Sequence, residues 1–522
     1  MIAFALVFIG AGLAQNTDNV TEPLSTFKSR PDILAPALNV SIQDSSPEGF
    51  APGYIFIAPF QATQTGPYIY DKFGNLIWSG YGAIGPGNVH DFKVCSYNGA
   101  DHLCAFQGNQ RLGYALGHGI ILDETYTIVK TVQMGTGASS MDMHEFSLIS
   151  GGETALAIAY QPAPMDLTAY GITSGQGWIM QGVFQEINTT SGEVLFSWSS
   201  LDHIPPSASD VMPNSTDVSG TGLTPQSPWD YFHINSIDKS SYSNDYLISV
   251  RHTSTIYLID SSTGAVLWTL SSDPTSTYVL QGFTFSFQHD ARFLSDNSTH
   301  TILSLFDNAS NGFTRTATES STLHILLDHT LRTATLLARY TAPVPGGLLS
   351  DSQANSQTLP NGHIFSGWGS VAAVSEVRAD GSPVLFATFG RYPVMNYRAY
   401  SFEWVGRPLT APSLAAYARN TAAGTPTFLH ASWNGATEVR EWVFYGSAER
   451  ETGFVVLGSA AWRGFETEFV GTGFSAWVYV EAVDGAGTVL GRSATVGTLV
   501  PGTGLAGVCG DSGCPAATGS AR

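Results

Sequence analysis

Short runs in which apolar and polar positions alternate fill this chain, separated by clusters of Gly, Asn, Asp and Ser, while helical periodicity is nearly absent. One unit recurs: an apolar strand, a turn built on Asp or Asn and usually Gly, then a second strand. It stands at Tyr68-Ile-Tyr-Asp71-Lys-Phe-Gly74-Asn-Leu-Ile-Trp78 and at Ile120-Ile-Leu-Asp123 running to Val129. It returns around Asn188 and Gly192, around Asp260 and Gly264, at Ile325-Leu-Leu-Asp328, and around Asp380 and Gly381. The turn residues at 71, 123, 188, 260, 328 and 380 are 52, 65, 72, 68 and 52 residues apart. Each interval suits one four-stranded antiparallel sheet with its loops. Six of them predict an all-β chain with a six-bladed β-propeller over 51–407, because a lone sheet cannot bury both faces and radial closure solves that. A large two-sheet sandwich with unrelated hairpins is the competing arrangement, and the regular recurrence argues against it. Beyond residue 408 the runs shorten and carry paired tryptophans, Trp433 with Trp442 and later Trp477. This predicts a small immunoglobulin- or fibronectin-III-like β-sandwich over 408–500, followed by a Gly/Ser/Ala-rich tail, 501–522.

Composition narrows the partners. Only 12% of the 522 residues are charged, 43% are hydrophobic, and the formal net charge is −20. A polyanion would be repelled, and five lysines (Lys28, Lys72, Lys93, Lys130 and Lys239) cannot form a basic stripe, so nucleic acid is excluded as a partner. Residues 1–14 form an apolar run that ends in small residues and is too short to span a bilayer. It predicts a secretory signal peptide, with 15–50 as an N-terminal extension and an extracellular location. No later stretch suits a membrane helix, so no stable membrane anchor is expected. Sequons at Asn19, Asn39, Asn188, Asn214, Asn297 and Asn308 predict a glycoprotein. The four cysteines fall as two local pairs. Cys95 and Cys104 flank a hairpin with its turn at Asn98-Gly99, and Cys509 and Cys514 bracket Gly-Asp-Ser-Gly. In an extracellular chain these predict two disulfides rather than a metal site.

Candidate chemistry lies where titratable residues interrupt strand-like stretches, since propeller function gathers where inner strands converge. Four segments qualify: Met141-Asp-Met-His144-Glu145-Phe146, Trp229-Asp230-Tyr-Phe232-His233-Ile-Asn235-Ser, Val250-Arg251-His252-Thr, and Phe287-Gln288-His289-Asp290-Ala-Arg292. His144-Glu145 opens like a zinc helix motif, but position 148 is Leu, so no metal is expected. His233 and Asn235 alternate onto one strand face, whereas His252 is expected to face away from Arg251.

The strings Met143-His144-Glu145-Phe146, Tyr231-Phe232-His233-Ile-Asn235-Ser-Ile237, Arg251-His252-Thr-Ser-Thr255 and Phe287-Gln-His289-Asp290-Ala-Arg292-Phe293 resemble the arylsulfotransferase family, in particular its fungal-type branch. Leu305-Phe306-Asp307-Asn308, Leu359-Pro360-Asn361-Gly362 and Gly367-Trp368-Gly369 add to the likeness, which runs from about Tyr54 to Val405. The resemblance implies a six-bladed propeller enzyme that moves a sulfuryl group from a phenolic sulfate donor to a phenol acceptor, with no nucleotide sulfate and no cofactor. It implies His289 as the residue that carries the sulfuryl group, with His233, Asn235, Arg251 and His144 as the other catalytic residues. Asp290, Arg292, Gln353 and Trp368 are candidates for contact with substrate. The residue types suit the chemistry: a neutral imidazole is a nucleophile near neutral pH, and cationic or donor groups stabilise charge on sulfuryl oxygens. Glu145 and Asp290 would orient neighbours or raise a histidine's pKa. The alternative is a secreted, non-catalytic propeller that binds a small phenolic, a glycan or a protein at its mouth.

Overall fold

The computed structural model describes residues 22–502, apart from 45, 47, 48, 85, 86 and 174. The signal-peptide segment, the Asn19 sequon and the Cys509–Cys514 pair lie outside the described residues. Within them the chain is all-β: short 3-10 turns are the only helical elements, and no helix is long and apolar enough to cross a membrane.

Six antiparallel sheets follow one another in the chain. Sheet I joins Tyr54–Ile57, Tyr68–Tyr70 and Leu76–Ser79 to Tyr400–Phe402, which arrives from the far end. Sheet II holds Asn88–Tyr97, Ala100–Gln110, Ala115–Leu122 and Ile128–Val132; sheet III holds Phe146–Ile149, Thr154–Met165, Gly177–Asn188 and Val194–Ser199. Sheet IV runs Ile234–Lys239, Tyr246–Val250, Thr255–Ile259 and Val266–Leu270. Sheet V runs His289–Asp296, His300–Asp307, Ser321–Asp328 and Thr333–Tyr340, with Val279–Gln281 added in parallel. Sheet VI runs Asn355–Thr358, Ile364–Gly367, Ala373–Val377 and Pro383–Thr388, with Asn39–Gln43 on its outer edge.

Each recurring turn unit is the outermost hairpin of one sheet. Its Asp or Asn is there for a reason: the side-chain oxygen accepts backbone N–H groups a few residues ahead and closes the turn. Asp71 takes those of Phe73 and Asn75, Asn188 those of Thr190 and Ser191, and Asp260 those of Ser262 and Thr263. Gly74, Gly192, Gly264 and Gly381 supply the left-handed residue these turns require (φ +74° to +89°). In sheet II, Asn98 and Gly99 are both left-handed and pair Tyr97 with Ala100. The disulfide Cys95–Cys104 bridges these two strands, with its Cα atoms 5.8 Å apart.

Apolar packing runs from sheet to sheet. Trp78 with Leu103 joins I to II, Phe106 with Phe146 II to III, and Phe184 with Tyr246 III to IV. Leu247 with Leu303 joins IV to V, Phe306 with Trp368 V to VI, and Phe365 with Tyr70 returns from VI to I. Beyond these sheets, Ser413–Ala418, Thr427–Ser432 and Glu466–Gly471 form one sheet. It faces a second sheet built on Glu441–Ser447 and Trp477–Val483, across a core of Leu429, Trp442, Phe444 and Val480. The C-terminal unit is anchored on sheets I and II, where Tyr126 stacks on Trp78 at 4.5 Å and donates to Gly435 O at 2.8 Å.

Candidate active site

Polar residues gather at or near the start of one edge strand of each of the six sheets: His90-Asp91, His144-Glu145, His233, His289-Asp290, Gln353 and Tyr397-Arg398. Simple alternation does not place them. The ladders of sheets II and V break register between His90 and Lys93 and between His289 and Arg292, with Asp91 and Asp290 left-handed (φ +55° and +57°). Bulges of this kind re-aim neighbouring side chains. The result is two polar layers.

The upper layer opens into a cavity of about 750 Å³ whose wall includes His144, His233, Arg251, His289 and Gln353. His289 is buried and hydrogen-bonded on both nitrogens. Its Nδ1 lies 2.7 Å from Asn308 Oδ1, and the Asn308 amide nitrogen donates to Ser350 O and Gln353 O, both at 3.0 Å. With its nitrogen committed, Asn308 presents only an acceptor to the imidazole, so Nδ1 carries the proton and Nε2 the lone pair. The Gln353 backbone N–H donates to that lone pair at 3.2 Å. Burial, with the charge of Arg251 beside it, holds the His289 pKa well below the usual histidine value, so the ring is neutral.

Two Asp–His pairs stand next to it. His144 Nδ1 donates to Asp142 and His233 Nδ1 to Asp230, and each carboxylate also accepts its histidine's backbone N–H, at 2.9 and 3.1 Å. The two rings meet edge to face at 4.9 Å, with Tyr160 and Tyr397 packed around them. Burial pushes the Asp230 carboxyl up to about 6 and the His233 pKa well below its ordinary value.

Arg251 is buried in the cavity wall. It donates to His252 Nε2 at 2.9 Å and to Asp351 O at 3.0 Å, and its Nε has no protein partner. Contrary to the expectation that His252 faces away, the two side chains touch, because the strand ends at Val250 and residues 251–254 form a turn. His252 Nδ1 donates to Asp230 O at 2.6 Å, so Asp230 orients both His233 and, through His252, Arg251. Asp230, His233 and His252 place three ligand-type atoms within 4.8 Å of one another. A metal there would sit against the Arg251 guanidinium, which argues for a hydrogen-bonded relay instead.

The lower layer closes the cavity floor. Asp91, Glu145 and Asp290 face Lys93, Arg292 and Arg398, three carboxylates against three cations. Arg398 reaches Asp91 at 3.1 Å, Glu145 at 3.4 Å and Asp290 at 3.6 Å, and donates to Asn235 O at 2.7 Å. Burial alone would raise the Glu145 carboxyl, but Arg292, Arg398 and Lys93 outweigh it and hold it well below its usual range. This belt ties sheets I, II, III and V together across their inner strands.

The structure therefore separates the residues singled out in the sequence. His144, His233, Arg251, His289 and Gln353 share the cavity. Asp290 and Arg292 lie in the belt and do not line the cavity. Asn235 is fully buried; its amide donates to Gln288 O (2.8 Å) and accepts from Asp290 N (3.3 Å), clamping the backbone on either side of His289. Trp368 donates to Ser375 Oγ and packs on Phe306 in the core. Asp142, Asp230 and Asn308 stand in the strings quoted from the sequence without an assigned role, and Arg398 lies outside those strings. Asn308 was read as a sequon, yet its amide is buried and engaged, so it cannot carry a glycan there; Asn39, Asn214 and Asn297 are exposed.

An all-β chain of six successive antiparallel sheets with a C-terminal pair, holding a cavity lined by histidines and a buried arginine, is the class that fold and site define. The family model described as Arylsulfotransferase (ASST) matches residues 94–390, more than half of the chain. The protein belongs to the arylsulfotransferase family. The match holds every cavity residue just discussed, but not Asp91, Lys93 or Arg398 of the belt. No curated protein matches the chain. Solved structures that resemble it include a protein of unknown function from Bacteroides caccae (12% identity, 67% of this chain and 98% of that one, TM-score 0.38). Others are Kuenenia stuttgartiensis hydrazine synthase (11%, 71% and 81%, TM-score 0.31) and the Myceliophteria thermophila Cps50 (Swd1) β-propeller domain (10%, 62% and 91%, TM-score 0.30). These likenesses are too distant to bear on the site.

Proposed function

We propose that the protein is a secreted aryl-sulfate sulfotransferase that carries the sulfuryl group on His289 Nε2, without a nucleotide donor. In this reading the six sheets are blades of a closed propeller and the C-terminal pair of sheets is an immunoglobulin-like sandwich. Supporting the closure are the run of apolar cores that returns to sheet I and the capture of Tyr400–Phe402 by Tyr54–Ile57. The Cys95–Cys104 bridge agrees with an oxidising compartment.

One observation carries the chemistry: a neutral imidazole whose Asn308 partner leaves Nε2 unprotonated, in a cavity with a buried arginine that has a free N–H. Nε2 attacks sulfur, the N–S bond forms as the S–O bond to the aryl group breaks, and the phenolate leaves. The Gln353 N–H, no longer facing a lone pair, is then beside the sulfuryl oxygens, and Arg251 Nε supplies a second, charged donor. In the second half an acceptor phenol gives its proton to His233, whose charged form the Asp230 carboxylate stabilises, and the phenol oxygen takes the sulfuryl group from Nε2. That proton returns to the phenolate released in the next first half, so the cycle needs no outside acid. His144 with Asp142 offers the same base geometry 4.9 Å away.

The test is intact-mass analysis after exposure to para-nitrophenyl sulfate without acceptor. One added SO3, mapped to His289 and absent from folded His289→Ala, is expected. Turnover that survives His289→Ala would overturn the reading, and saturable binding without any label would favour the non-catalytic alternative.

A further inference from the structure

The reacting atoms occupy only part of the cavity wall. Its total volume, about 750 Å³, lies in the range of roughly 300–1,000 Å³ that encloses drug-sized molecules. A single-ring ester reaching Nε2 of His289 would leave most of that space to water.

The mouth has an apolar rim made by three loops. Leu112 stands in the turn between Ala100–Gln110 and Ala115–Leu122, Phe313 in the loop after His300–Asp307, and Tyr392 in the segment before Tyr400–Phe402. They are 66%, 64% and 81% exposed, large hydrophobic side chains left uncovered in a protein that buries most others. Sheets II and V and the closing segment each contribute one, all facing the same cavity. Met395 and Val371 continue the apolar surface inward. Charge does not explain the rim. The charged side chains of the lining are Arg111 and Arg251 against Asp217 and Asp351, which balance, in a chain whose formal net charge is −20. An anionic ester is therefore not drawn in by a basic funnel, and its affinity has to come from its rings.

We propose that the substrates are multi-ring apolar phenols and their sulfate esters, whose outer rings pack against Leu112, Phe313 and Tyr392 while the reacting oxygen meets His289. The rim sets specificity and takes no part in the chemistry. This inference rests on the sulfuryl-transfer reading, and the two fail separately.

The experiment uses the full chain and the variants Phe313→Ser, Tyr392→Ser and the double variant; both side chains are mostly exposed, so the fold is expected to tolerate them. With para-nitrophenyl sulfate as donor, kcat/KM is compared for phenol and for a three-ring hydroxyflavone as acceptors. Calorimetry gives the Kd of the hydroxyflavone sulfate independently of turnover. The wild type should favour the three-ring acceptor by about tenfold or more, and the double variant should lose about tenfold of that preference through KM, with kcat and phenol transfer unchanged. Its Kd for the three-ring ester should rise by a similar factor. Equal use of both acceptors by the wild type, or a preference and Kd unchanged in the double variant, overturns the rim. Absence of transfer to any acceptor, with the Kd still weakened in the double variant, overturns sulfuryl transfer and leaves the rim in place.

Discussion

Replacing Asn308 by Leu keeps the side chain's approximate volume and removes the group that decides which nitrogen of His289 holds the proton. The wild-type amide is pinned by two backbone carbonyls at 3.0 Å, so its oxygen faces Nδ1 at 2.7 Å. Leucine strips the partner from one ring N–H and two carbonyls. A buried polar group left unmatched costs about 1–3 kcal/mol, and with local relaxation the variant should lose about 2–4 kcal/mol of unfolding free energy. Catalysis should suffer more than stability. Holding a catalytic histidine in the wrong tautomer costs up to roughly 10⁴-fold, so kcat for para-nitrophenyl sulfate should fall about 10²- to 10⁴-fold with little change in KM. Asn308→Asp gives a second readout. A carboxylate facing Nδ1 raises the imidazole pKa by roughly one to three pH units. Wild-type His289 is held neutral by burial and Arg251, and its ionisation contributes no acid limb near neutrality. In Asn308→Asp such a limb should move into view, activity being lost as the pH falls through the raised pKa. Steady-state kinetics from pH 5 to 9, with circular dichroism and denaturant unfolding on the same samples, measure both effects. A folded Asn308→Leu that turns over within about threefold of wild type, together with an Asn308→Asp profile that superimposes on it, would refute the tautomer argument.

Arg398→Met leaves three carboxylates of the belt facing two cations, and breaking a buried ion network in this way should cost about 3–5 kcal/mol in denaturant unfolding. The surplus carboxylate then holds a proton in the folded variant, its pKa raised above the unfolded value, so the deficit should shrink from pH 8 to pH 5; equal deficits at both would assign Arg398 to packing alone. Asp230, pushed up to about 6 by burial from an ordinary 3.8, favours the folded state below its unfolded pKa, and that contribution, up to about 2–3 kcal/mol, is lost as the pH rises to 6. Asp230→Asn should flatten this part of the stability curve between pH 4 and 7, and a curve parallel to wild type would place the effect elsewhere.

The recurring hairpins were legible because their cause is local. An Asp or Asn oxygen that closes a turn onto N–H groups two to four residues ahead needs nothing from the rest of the chain, and Asp71, Asn188 and Asp260 all do so. The Asn98-Gly99 turn and its flanking disulfide are local in the same sense. His144, His233, Arg251 and His289 could be singled out as titratable residues interrupting apolar runs. Their common cavity could not, since it depends on three different sheets presenting these residues together.

Local pattern was silent on which polar residue meets the cavity and which meets the belt. Asp290 and Arg292 follow His289 directly, yet the bulge that lifts His289 into the wall turns them down toward Glu145 and Arg398. Asn308 carries a surface motif and is buried, because Ser350 and Gln353 close over it from the next sheet. Trp368 and Asn235 are held in core and backbone contacts by partners distant in the chain. Sequence by itself determined the strands, the turns and the supply of imidazoles, all set by interactions a few residues long. Tertiary structure alone decided the tautomer of His289, the neutral belt and the apolar rim, since each is a balance among side chains from separate sheets that only the assembled fold brings within reach.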